Sequence, residues 1–261
     1  MVGGAIELVE IETKDFTSAP AVLHVDNLTI KHRIENVSFD LHQGEVLGLA
    51  GLLGTGRSEI LRAIAGFDHA SAGHIRLGAD GKHQPNVRHM IAHGVALTPE
   101  NRREEGIMPF LGVHENLAIG RWREFARAGT ISWPKVRASA TDFIKKLSIK
   151  TPTLDTPVRN LSGGNQQKVV IGRWLGVADR VLLLDEPTRG VDVEAKSQIY
   201  EIIRSTAARG VSIIVVTSEL EELLWCCDSI IFLRNGKASR KYRRAELSVE
   251  TLNSLVNGET P

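Results

Sequence analysis

The sequence has little cysteine, almost no net charge and no long apolar run, and each of these scarcities excludes a class of protein. Cys226 and Cys227 are the only two cysteines and are adjacent, so a disulfide framework is excluded and we expect both to be reduced core residues. A net charge of +1 leaves no basic footprint for nucleic acid. No apolar run approaches the roughly 20 residues that span a bilayer, and residues 1–10 lack the charged-then-apolar layout of a secretory signal. We therefore expect a cytoplasmic protein that contacts a membrane only through a partner.

What the sequence does have is the composition of an ordinary globular protein. The chain is 42% hydrophobic and 24% charged over 261 residues, which suits one large domain or two small ones. Either would bury roughly 70 to 75% of its unfolded surface, so a substantial core is expected. Residues 1–20 show no sustained periodicity and end in Ser18, Ala19 and Pro20, and we interpret them as a linker or tail.

The order of apolar patterns along the chain indicates an α/β fold. A buried strand at 46–50 leads through a glycine-rich loop into a helical pattern that stops at Gly66, a typical C-terminal glycine. Strand and helix patterns then alternate from residue 180 to 233, which predicts a parallel sheet with helices on both faces. Asn235 and Gly236 predict a tight hairpin that adds an antiparallel edge strand.

The glycine-rich loop has the sequence GLLGTGRS at residues 51–58. It fits the phosphate-loop pattern G-x-x-x-x-G-K-[ST] everywhere except at the lysine, which is Arg57 here. Glycines let successive backbone N–H groups point at a phosphate, and the following helix adds its positive end. Ser58 is placed to ligate Mg²⁺, whereas Arg57 keeps the charge of lysine but not its geometry. The alternative is a glycine-rich turn that only links a strand to a helix.

Two adjacent carboxylates end a second buried strand. Four apolar residues at 181–184 precede Asp185 and Glu186, and ligands of open parallel sheets bind at that edge of the sheet. Asp185 is placed to hold a metal through water, and Glu186 to polarise the water that attacks a γ-phosphate. The alternative is a pair of solvated loop carboxylates.

A second cluster of free amides is predicted at LSGGNQQK, residues 161–168. Ser162, Gly163 and Gly164 open a helix there, and a helix start of this kind is ready for an anion. One nucleotide does not need two such clusters from the same subunit. We infer that this cluster serves a nucleotide held by a neighbouring subunit, and the alternative is an ordinary helix cap.

These three elements, in this order, resemble the nucleotide-binding domain of ATP-binding cassette (ABC) transporters from about residue 21 to the end of the chain. GLLGTGRSE is similar to the Walker A loop, LSGGNQQK to the ABC signature and VLLLDEP to Walker B. Within that family the chain resembles the second cassette of the double-cassette ATPases that energise bacterial uptake of ribose, galactose, xylose and related sugars. TPENR at 98–102 resembles the EDR of those cassettes, and residues 1–10 resemble the segment that joins the two. The chain is accordingly expected to be a fragment of a longer protein.

The resemblance implies a P-loop NTPase fold of the ABC type. It has a RecA-like, mainly parallel sheet, an antiparallel β subdomain and an inserted helical subdomain at about 112–175, where strand signals are few. The domain is expected to cover residues 21–261, with ATP and Mg²⁺ as cofactors. The implied nucleotide-binding residues are Gly51, Leu53, Gly54, Thr55, Gly56, Arg57, Ser58 and Glu59, with Ser162, Gly163, Gly164 and Gln166 lent to a partner. The implied metal ligands are Ser58, Asp185 and Glu100, and the implied catalytic positions are Glu186, Ser218 and Glu100.

The sequence departs from the family pattern around the γ-phosphate. The expected glutamine that touches Mg²⁺ is Glu100, and the expected switch histidine is Ser218, with no histidine beyond His114 to replace it. Ser218 also has a local interpretation, as the N-cap of a capping box with Glu221. No aromatic residue is present where the family stacks adenine. His32 is the nearest flat side chain, and the alternative is a solvated histidine.

The resemblance therefore implies an asymmetric role for this cassette. Its own site, with Arg57, Glu100 and Ser218, is expected to be slow or non-hydrolysing, whereas its intact signature completes the site of a companion cassette. The other implied partners are membrane permease subunits and, indirectly, a periplasmic sugar-binding protein, at the cytoplasmic face of the bacterial inner membrane. No nucleic-acid partner is expected. Two alternatives stay open: an ATP-gated dimerisation module without hydrolysis, and a soluble ABC ATPase that acts on ribosomes or DNA. The charged run 102–105 is expected to be a solvated loop.

Overall fold

The computed structural model describes residues 15–16, 18–78 and 85–257. Most of the predicted linker at 1–20 lies outside the described residues. The strands are β1 (Ala21–Ile30), β2 (Ile34–His42), β3 (Val46–Gly51), β4 (Ala72–Leu77), β5 (Val95–Thr98), β6 (Ala126–Arg127), β7 (Thr130–Ile131), β8 (Val181–Asp185), β9 (Ser212–Val216), β10 (Ser229–Arg234) and β11 (Lys237–Arg243). The α-helices are α1 (Arg57–Ile64), α2 (Val87–Ala92), α3 (Val113–Ala118), α4 (Trp122–Phe125), α5 (Trp133–Lys146), α6 (Gly163–Leu175), α7 (Val193–Ala207), α8 (Leu220–Cys226) and α9 (Val249–Asn257).

The main sheet has six strands in the order β11-β10-β3-β9-β8-β5. Every neighbouring pair from β10 to β5 is parallel, and β11 pairs antiparallel with β10 through a turn at Asn235 and Gly236, whose φ angles are 50° and 75°. Positive φ at two successive turn residues is what a tight hairpin requires. The predicted α/β fold with a mainly parallel sheet and an antiparallel edge is confirmed.

Helices cover both faces of this sheet because its central strands are apolar on both sides. Along β8, Leu182 and Leu184 pack into one core with α6, α7 and α8, whereas Val181 and Leu183 pack into a second core with α1. All five residues of β8 and all five of β9 are buried. A strand that is buried on both faces has a continuous run of apolar residues. This run is the sequence feature that predicted a buried strand here.

A smaller antiparallel sheet packs on the second core. Its strands lie in the order β2-β1-β4, with Val25 of β1 facing Phe39 of β2 and Ile75 of β4. The alternating apolar residues of β1 and β2 are buried against α1 and the main sheet, and their polar neighbours stay accessible. The sheet corresponds to the antiparallel β part that the resemblance implied.

The middle of the chain is mainly helical, as its sequence pattern indicated. Helices α3, α5 and α6 pack side by side, and a short hairpin of β6 and β7 joins α4 to α5. This hairpin was not predicted, because two residues per strand are too few for a periodic signal. Ala118, Phe125 and Val136 form a separate small core beneath it.

The ends of the elements match several local predictions. Gly66, with φ of 81°, follows α1 and donates its N–H to the Ala63 carbonyl, as a C-terminal glycine does.

Cys226 and Cys227 are free thiols and fully buried, which confirms the prediction of core cysteines. Among the described residues, no helix combines the length and apolarity that crossing a membrane needs.

Candidate nucleotide-binding site

The candidate site lies at the carboxyl ends of three neighbouring strands of the main sheet. In the order β3-β9-β8, the glycine loop leaves β3, Thr217 and Ser218 leave β9, and Asp185 and Glu186 end β8. Segments separated by more than 120 residues therefore meet along one edge. The carboxyl edge of an open parallel sheet is where such folds bind ligands.

The backbone of the glycine loop requires glycine at specific positions. Gly54 and Gly56 have φ angles of 81° and 95°, which disfavour other residues. A Cβ added at Gly56 would lie 2.3 Å from Ile34 Cδ1, and one at Gly51 would lie 2.6 Å from the Leu233 carbonyl oxygen. The loop is therefore packed tightly against β10 and the start of β2, and its last glycine caps α1. These contacts favour a built loop over a simple connecting turn.

The other predicted loop residues differ in how firmly the chain holds them. Thr55 donates from its hydroxyl and its N–H to the Leu52 carbonyl, which closes the loop on itself. Leu53 is 92% exposed at the tip of the loop. Glu59 faces Arg33, with 3.6 Å between carboxylate and guanidinium. Glu59 thus has an ionic partner beside the loop, whereas Leu53 projects into solvent.

Ser58 and Asp185 come together although 127 residues separate them. The Ser58 hydroxyl donates to Asp185 Oδ1 at 3.1 Å. Burial, together with the nearby charges of Glu100 and Glu186, raises the pKa of Asp185 to about 7, against the opposing effects of this hydrogen bond and of the Arg57 charge. A buried carboxylate whose charge is poorly compensated is the environment that a cation stabilises.

These oxygens fit a hydrated Mg²⁺. A hydroxyl and a carboxylate are hard ligands, and Mg²⁺ is commonly bound by one or two protein groups while it keeps several waters and phosphate oxygens. Across residues 15–16, 18–78 and 85–257, no group of three or more His, Cys, Asp or Glu side chains converges as a metal cage. The pair Ser58 and Asp185 is therefore suited to an ion that arrives with a phosphate ligand.

Arg57 is buried, and its side chain is engaged within the protein. Its Nη1 donates to the Thr217 carbonyl oxygen at 2.6 Å, and its Nη2 lies 3.9 Å from Glu186 Oε1. Only 6% of the residue is exposed. The side chain thus reaches from the first turn of α1 across the ends of β9 and β8.

Glu186 is held from a second side by Ser218. The Ser218 hydroxyl donates to Glu186 Oε2 at 3.1 Å. Burial raises the pKa of Glu186, and the Ser218 hydrogen bonds and the Arg57 charge oppose that rise. The backbone of Glu186 has φ of 48°, an uncommon value outside glycine that fixes the direction of the side chain.

The capping box predicted for Ser218 and Glu221 is wrong. Helix α8 begins at Leu220, its N-cap is Glu219, and no side chain caps it. The Ser218 hydroxyl is instead used on Glu186, because the turn after β9 carries the serine toward the end of β8. The S-x-x-E spacing was present, but a tertiary partner competed for the hydroxyl.

Glu100 lies near the site but is paired elsewhere. It shares a cavity of about 220 Å³ with Ser58 and Asp185. Its carboxylate forms an ion pair with Arg189, which lies on the loop between Glu186 and α7. The structure therefore brings Glu100 close to the predicted metal ligands, with a cation of this chain already beside it.

The predicted second cluster of amides forms a separate unit. Ser162 is exposed, with an extended backbone, and α6 begins at Gly163. No side chain caps this helix, so the start is not an ordinary Ser cap, and the Ser162 hydroxyl accepts from Asn165 instead. The Gln166 amide is buried and donates to the Val158, Arg159 and Leu161 carbonyls. Among the described residues no hydrogen bond joins 161–168 to the glycine loop.

The predicted solvated loop at 102–105 is instead a helical turn, although Arg103, Glu104 and Glu105 are exposed as expected. Residues Arg102–Gly106 form one π-helical turn. Arg102 is half-buried and donates to the carbonyl oxygens of Arg189 at 2.6 Å and Gly190 at 3.3 Å. The sequence of the charged run did not indicate these hydrogen bonds, because the acceptors are backbone atoms 87 and 88 residues away.

A buried carboxylate that no sequence pattern indicated lies behind the site. Glu222, 1% exposed on α8, accepts hydrogen bonds from the hydroxyls of Thr188 and Thr217 and from Lys196 Nζ. It thereby ties the loop after β8 to the loop after β9. Glu222 lies in a stretch with other glutamates that are exposed, so nothing in the pattern distinguished it.

A larger cavity of about 600 Å³ adjoins the glycine loop. It is bounded by the turn between β1 and β2, by residues 52–55 and by the hairpin turn at 235–236. His32, with φ of 64°, lines it, and the described lining includes no Phe, Tyr or Trp. The position of His32 beside the loop agrees with its selection as the nearest flat side chain.

Comparison with known proteins identifies the family. A family model described as ABC transporter matches residues 34–189. The chain is 45% identical over 236 residues to an uncharacterised ABC transporter ATP-binding protein, YphE, of Escherichia coli (strain K12), and 43% identical over 236 residues to the ribose import ATP-binding protein RbsA of Geobacillus kaustophilus (strain HTA426). Each alignment covers 90% of this chain, and 47% and 48% of the respective relative. The chain spans about half the length of the curated relatives it matches.

Solved structures agree on the fold. A nucleotide-free ATP-binding cassette from an ABC transporter superposes with a TM-score of 0.75 at 20% identity, over 89% of this chain and 95% of that one. The dimeric post-hydrolysis state of the cassette MJ0796, bound to ADP and Pi, superposes with a TM-score of 0.72 at 21% identity, over 85% of this chain and 98% of that one. The chain belongs to the ABC transporter family and has the fold of its ATP-binding cassettes.

Proposed function

We propose that this chain is an ATP-binding cassette that binds, and slowly hydrolyses, ATP to drive sugar import through a membrane permease. The observation that carries the proposal is the contact of Ser58 with Asp185 at 3.1 Å, which unites the glycine loop and the second strand motif at one edge. The similarity to ribose import ATP-binding proteins supports sugar as the transported class. The nucleotide-binding domain is proposed to cover residues 21–261, with a helical subdomain at about 112–175.

Each part of the site has a proposed task. The N–H groups of the glycine loop and the start of α1 hold the phosphates of ATP. Ser58, Asp185 and Glu100 are the residues that would hold Mg²⁺, and the ion would supply neutralisation of phosphate charge. Glu186 orients the attacking water and accepts its proton, and Ser218 keeps the Glu186 carboxylate in place.

The site of this chain is proposed to be the slower of two. Arg57 and Glu100 stand where the family has lysine and glutamine, and both are engaged within the chain. The exposed Ser162 and the amides of Gly163 and Gly164 are proposed to face a nucleotide held by a companion cassette. Relatives about twice as long as this chain support a companion cassette in the same protein. We propose that this chain is the second of the two, on the resemblance of its arginine-bearing loop and of residues 1–10. The assembly, with its permease and through it a periplasmic sugar-binding protein, is proposed to lie at the cytoplasmic face of the plasma membrane.

Steady-state ATP hydrolysis of the full-length double cassette tests the lent signature. Ser162→Arg adds a long cation where the amides meet the partner's nucleotide, and we expect turnover to fall at least about tenfold. Ala138→Arg, an exposed position of α5, is the matched control and should leave turnover unchanged. Unchanged turnover in Ser162→Arg would contradict the proposal.

One observation favours a second candidate, an ATP-gated dimerisation module without hydrolysis. Arg57 is buried against Thr217 and Glu186, which keeps it from acting as a free γ-phosphate ligand. Glu186→Gln separates the two functions. Slower hydrolysis with a trapped dimer supports the enzyme, whereas hydrolysis and dimerisation that do not change support the module.

A further inference from the structure

Arg57, the arginine of the glycine loop, contacts groups of the protein that are not required for binding a phosphate. Arg57 lies on the first turn of α1 and is 6% exposed, so its charge is removed from water. A buried charge must be compensated by partners within the protein. The partners here are the Thr217 carbonyl oxygen, 2.6 Å from Nη1, and the Glu186 carboxylate, 3.9 Å from Nη2.

Both oxygens of Glu186 are thereby engaged by different segments. Oε1 faces Arg57 from α1, and Oε2 accepts the Ser218 hydroxyl from the turn after β9. The Glu186 N–H donates to the Val216 carbonyl at 2.8 Å, which fixes the backbone as well. Contacts within the chain therefore hold the carboxylate in one orientation.

The anchor of Arg57 is itself held from behind. The Thr217 hydroxyl donates to the buried Glu222 carboxylate at 2.8 Å, and Glu222 also accepts from Thr188 and from Lys196. Moving the Thr217 carbonyl away from Arg57 would disturb this buried network. The guanidinium is therefore directed by a rigid acceptor rather than by a mobile loop.

The shape of the guanidinium explains why arginine suits this position. Its planar fork presents several N–H groups in fixed directions, so one side chain reaches a carbonyl and a carboxylate together. A lysine ammonium is a compact point charge on a flexible stem and has no such fork. A phosphate held by the glycine loop and the Glu186 carboxylate are both anions of the kind that a guanidinium binds.

We propose that Arg57 is a positioning residue for Glu186, and that the carboxylate and the nucleotide phosphate compete for its guanidinium. The inference rests on the proposed nucleotide function and deepens it, because it gives the slow site a cause. Nucleotide binding weakens the hold on Glu186, and the intact hold weakens nucleotide binding by the same factor.

A double-mutant cycle on MgADP affinity, measured by calorimetry on the full-length protein whose companion site is disabled, tests the competition. The four proteins are the parent, Arg57→Lys, Glu186→Gln and the double variant. MgADP is the probe because it lacks the γ-phosphate that draws two cassettes together. With Arg57 present, Glu186→Gln should tighten MgADP binding about tenfold, equivalent to about 1.4 kcal/mol. In the Arg57→Lys background the same change should alter affinity by less than about twofold.

A second variant and a matched control guard against trivial effects. Glu186→Asp withdraws the carboxylate without removing its charge. With Arg57 present, its MgADP affinity should lie between those of the parent and Glu186→Gln. The pair Arg76 and Asp26, joined at 3.0 Å and remote from the loop, should give no coupling to MgADP in the cycle Arg76→Lys with Asp26→Asn. Circular dichroism and thermal melting verify the fold of each variant.

Two results overturn the inference in distinguishable ways. Equal factors for Glu186→Gln in the parent and in the Arg57→Lys background would show nucleotide binding without competition and would leave the proposed function standing. Absence of MgADP binding in all four folded proteins would overturn the proposed function and the inference together.

Discussion

The glycine loop after β3 and the start of α6 are both clusters of backbone amides at a helix N-terminus, yet they are built in different ways. Around the glycine loop lie charged side chains, Arg57, Asp185 and Glu186, which contact one another or their neighbours. At the start of α6 the exposed group is Ser162, and Gln166 turns inward to three carbonyls. One cluster is rich in internal charge pairs and the other consists mainly of backbone.

The difference shows where each cluster is sensitive. In the first, a ligand must compete with contacts that the protein already makes. In the second, close packing sets the backbone: a Cβ on Gly163 would lie 2.7 Å from Arg102 Nη2, and one on Gly164 would lie 2.5 Å from Ala195 Cβ. We therefore expect charge changes to tune the first cluster and shape changes to break the second.

The largest expected effect comes from breaking each cluster at its tightest glycine. Gly56→Val places a Cβ against Ile34 at a positive φ and should weaken MgADP binding to this chain at least about a thousandfold, or about 4 kcal/mol. Gly164→Val should leave that affinity unchanged and abolish turnover of the proposed double cassette. Calorimetry and ATPase assays on both variants measure the pair.

Gly129→Ala is the control for these glycine changes. Gly129 also has a positive φ, of 80°, but a Cβ there has open space. It should cost about 1 kcal/mol of unfolding free energy and alter neither affinity nor turnover. Loss of MgADP binding in Gly164→Val would contradict the separation of the two clusters.

The charge of the first cluster predicts a pH dependence of stability in the absence of Mg²⁺. The pKa of Asp185 is raised from its ordinary value of 3.8 to about 7. The folded chain therefore holds a proton that the unfolded chain has lost between these pH values. This contribution to stability is complete below about pH 4 and is lost as the pH rises through about 7.

Denaturant unfolding of the wild type and Asp185→Asn, from about pH 4 to about pH 8, measures this effect. The difference of about three in pKa sets an upper bound of about 4 kcal/mol. In Asp185→Asn, the part of the pH dependence of the unfolding free energy that comes from Asp185 should be lost. Saturating Mg²⁺ with nucleotide should reduce the same pH dependence in the wild type. Parallel pH profiles for the two proteins would show that Asp185 is not protonated in the folded chain.

The support of the first cluster is tested at Glu222. Glu222→Leu removes the acceptor of Thr188 and Thr217 and one partner of Lys196, and we expect a loss of about 3 kcal/mol in unfolding free energy. Its neighbour Glu221 is exposed, so Glu221→Leu should change stability by less than about 0.5 kcal/mol. Chemical denaturation compares them, and equal stabilities would refute the buried role of Glu222.

The smallest expected effect concerns the support of the second cluster. Arg102→Ala removes hydrogen bonds to the Arg189 and Gly190 carbonyls beside Gly163, at a cost of about 1–2 kcal/mol. MgADP affinity should stay unchanged while turnover of the double cassette falls. The exposed Arg103→Ala is the control and should do neither. A drop in MgADP affinity in Arg102→Ala would indicate that the two clusters are coupled.

The elements that sequence reasoning placed well are those with strong local signals. The apolar runs of β8 and β9, the hairpin at Asn235 and Gly236, and the glycine stop after α1 all depend on residues close together in the chain. A buried strand or a positive-φ turn constrains which residues fit, so the constraint is readable from the pattern. The short hairpin of β6 and β7 carried too few residues to produce one.

The candidate site was predicted as a set of residues but not as a set of contacts. Ser218 was assigned to a helix cap and Arg102 to a solvated loop, and both make tertiary hydrogen bonds instead. Glu222 was not noticed, although it holds two loops of the site. Local patterns assign a side chain to its neighbours in the chain, whereas its partner in the fold depends on which strands end side by side.

The sequence by itself determined that this protein has a parallel sheet with a glycine loop, a carboxylate pair and a second helix start rich in glycine, because each depends on backbone conformations and burial that few residue types satisfy. Only the tertiary structure decided what the charged side chains do. The strand order β3-β9-β8 brings Arg57, Glu186 and Ser218 within reach of one another across long stretches of chain. Ionic contacts and hydrogen bonds depend on distances in space, and no local pattern encodes those distances.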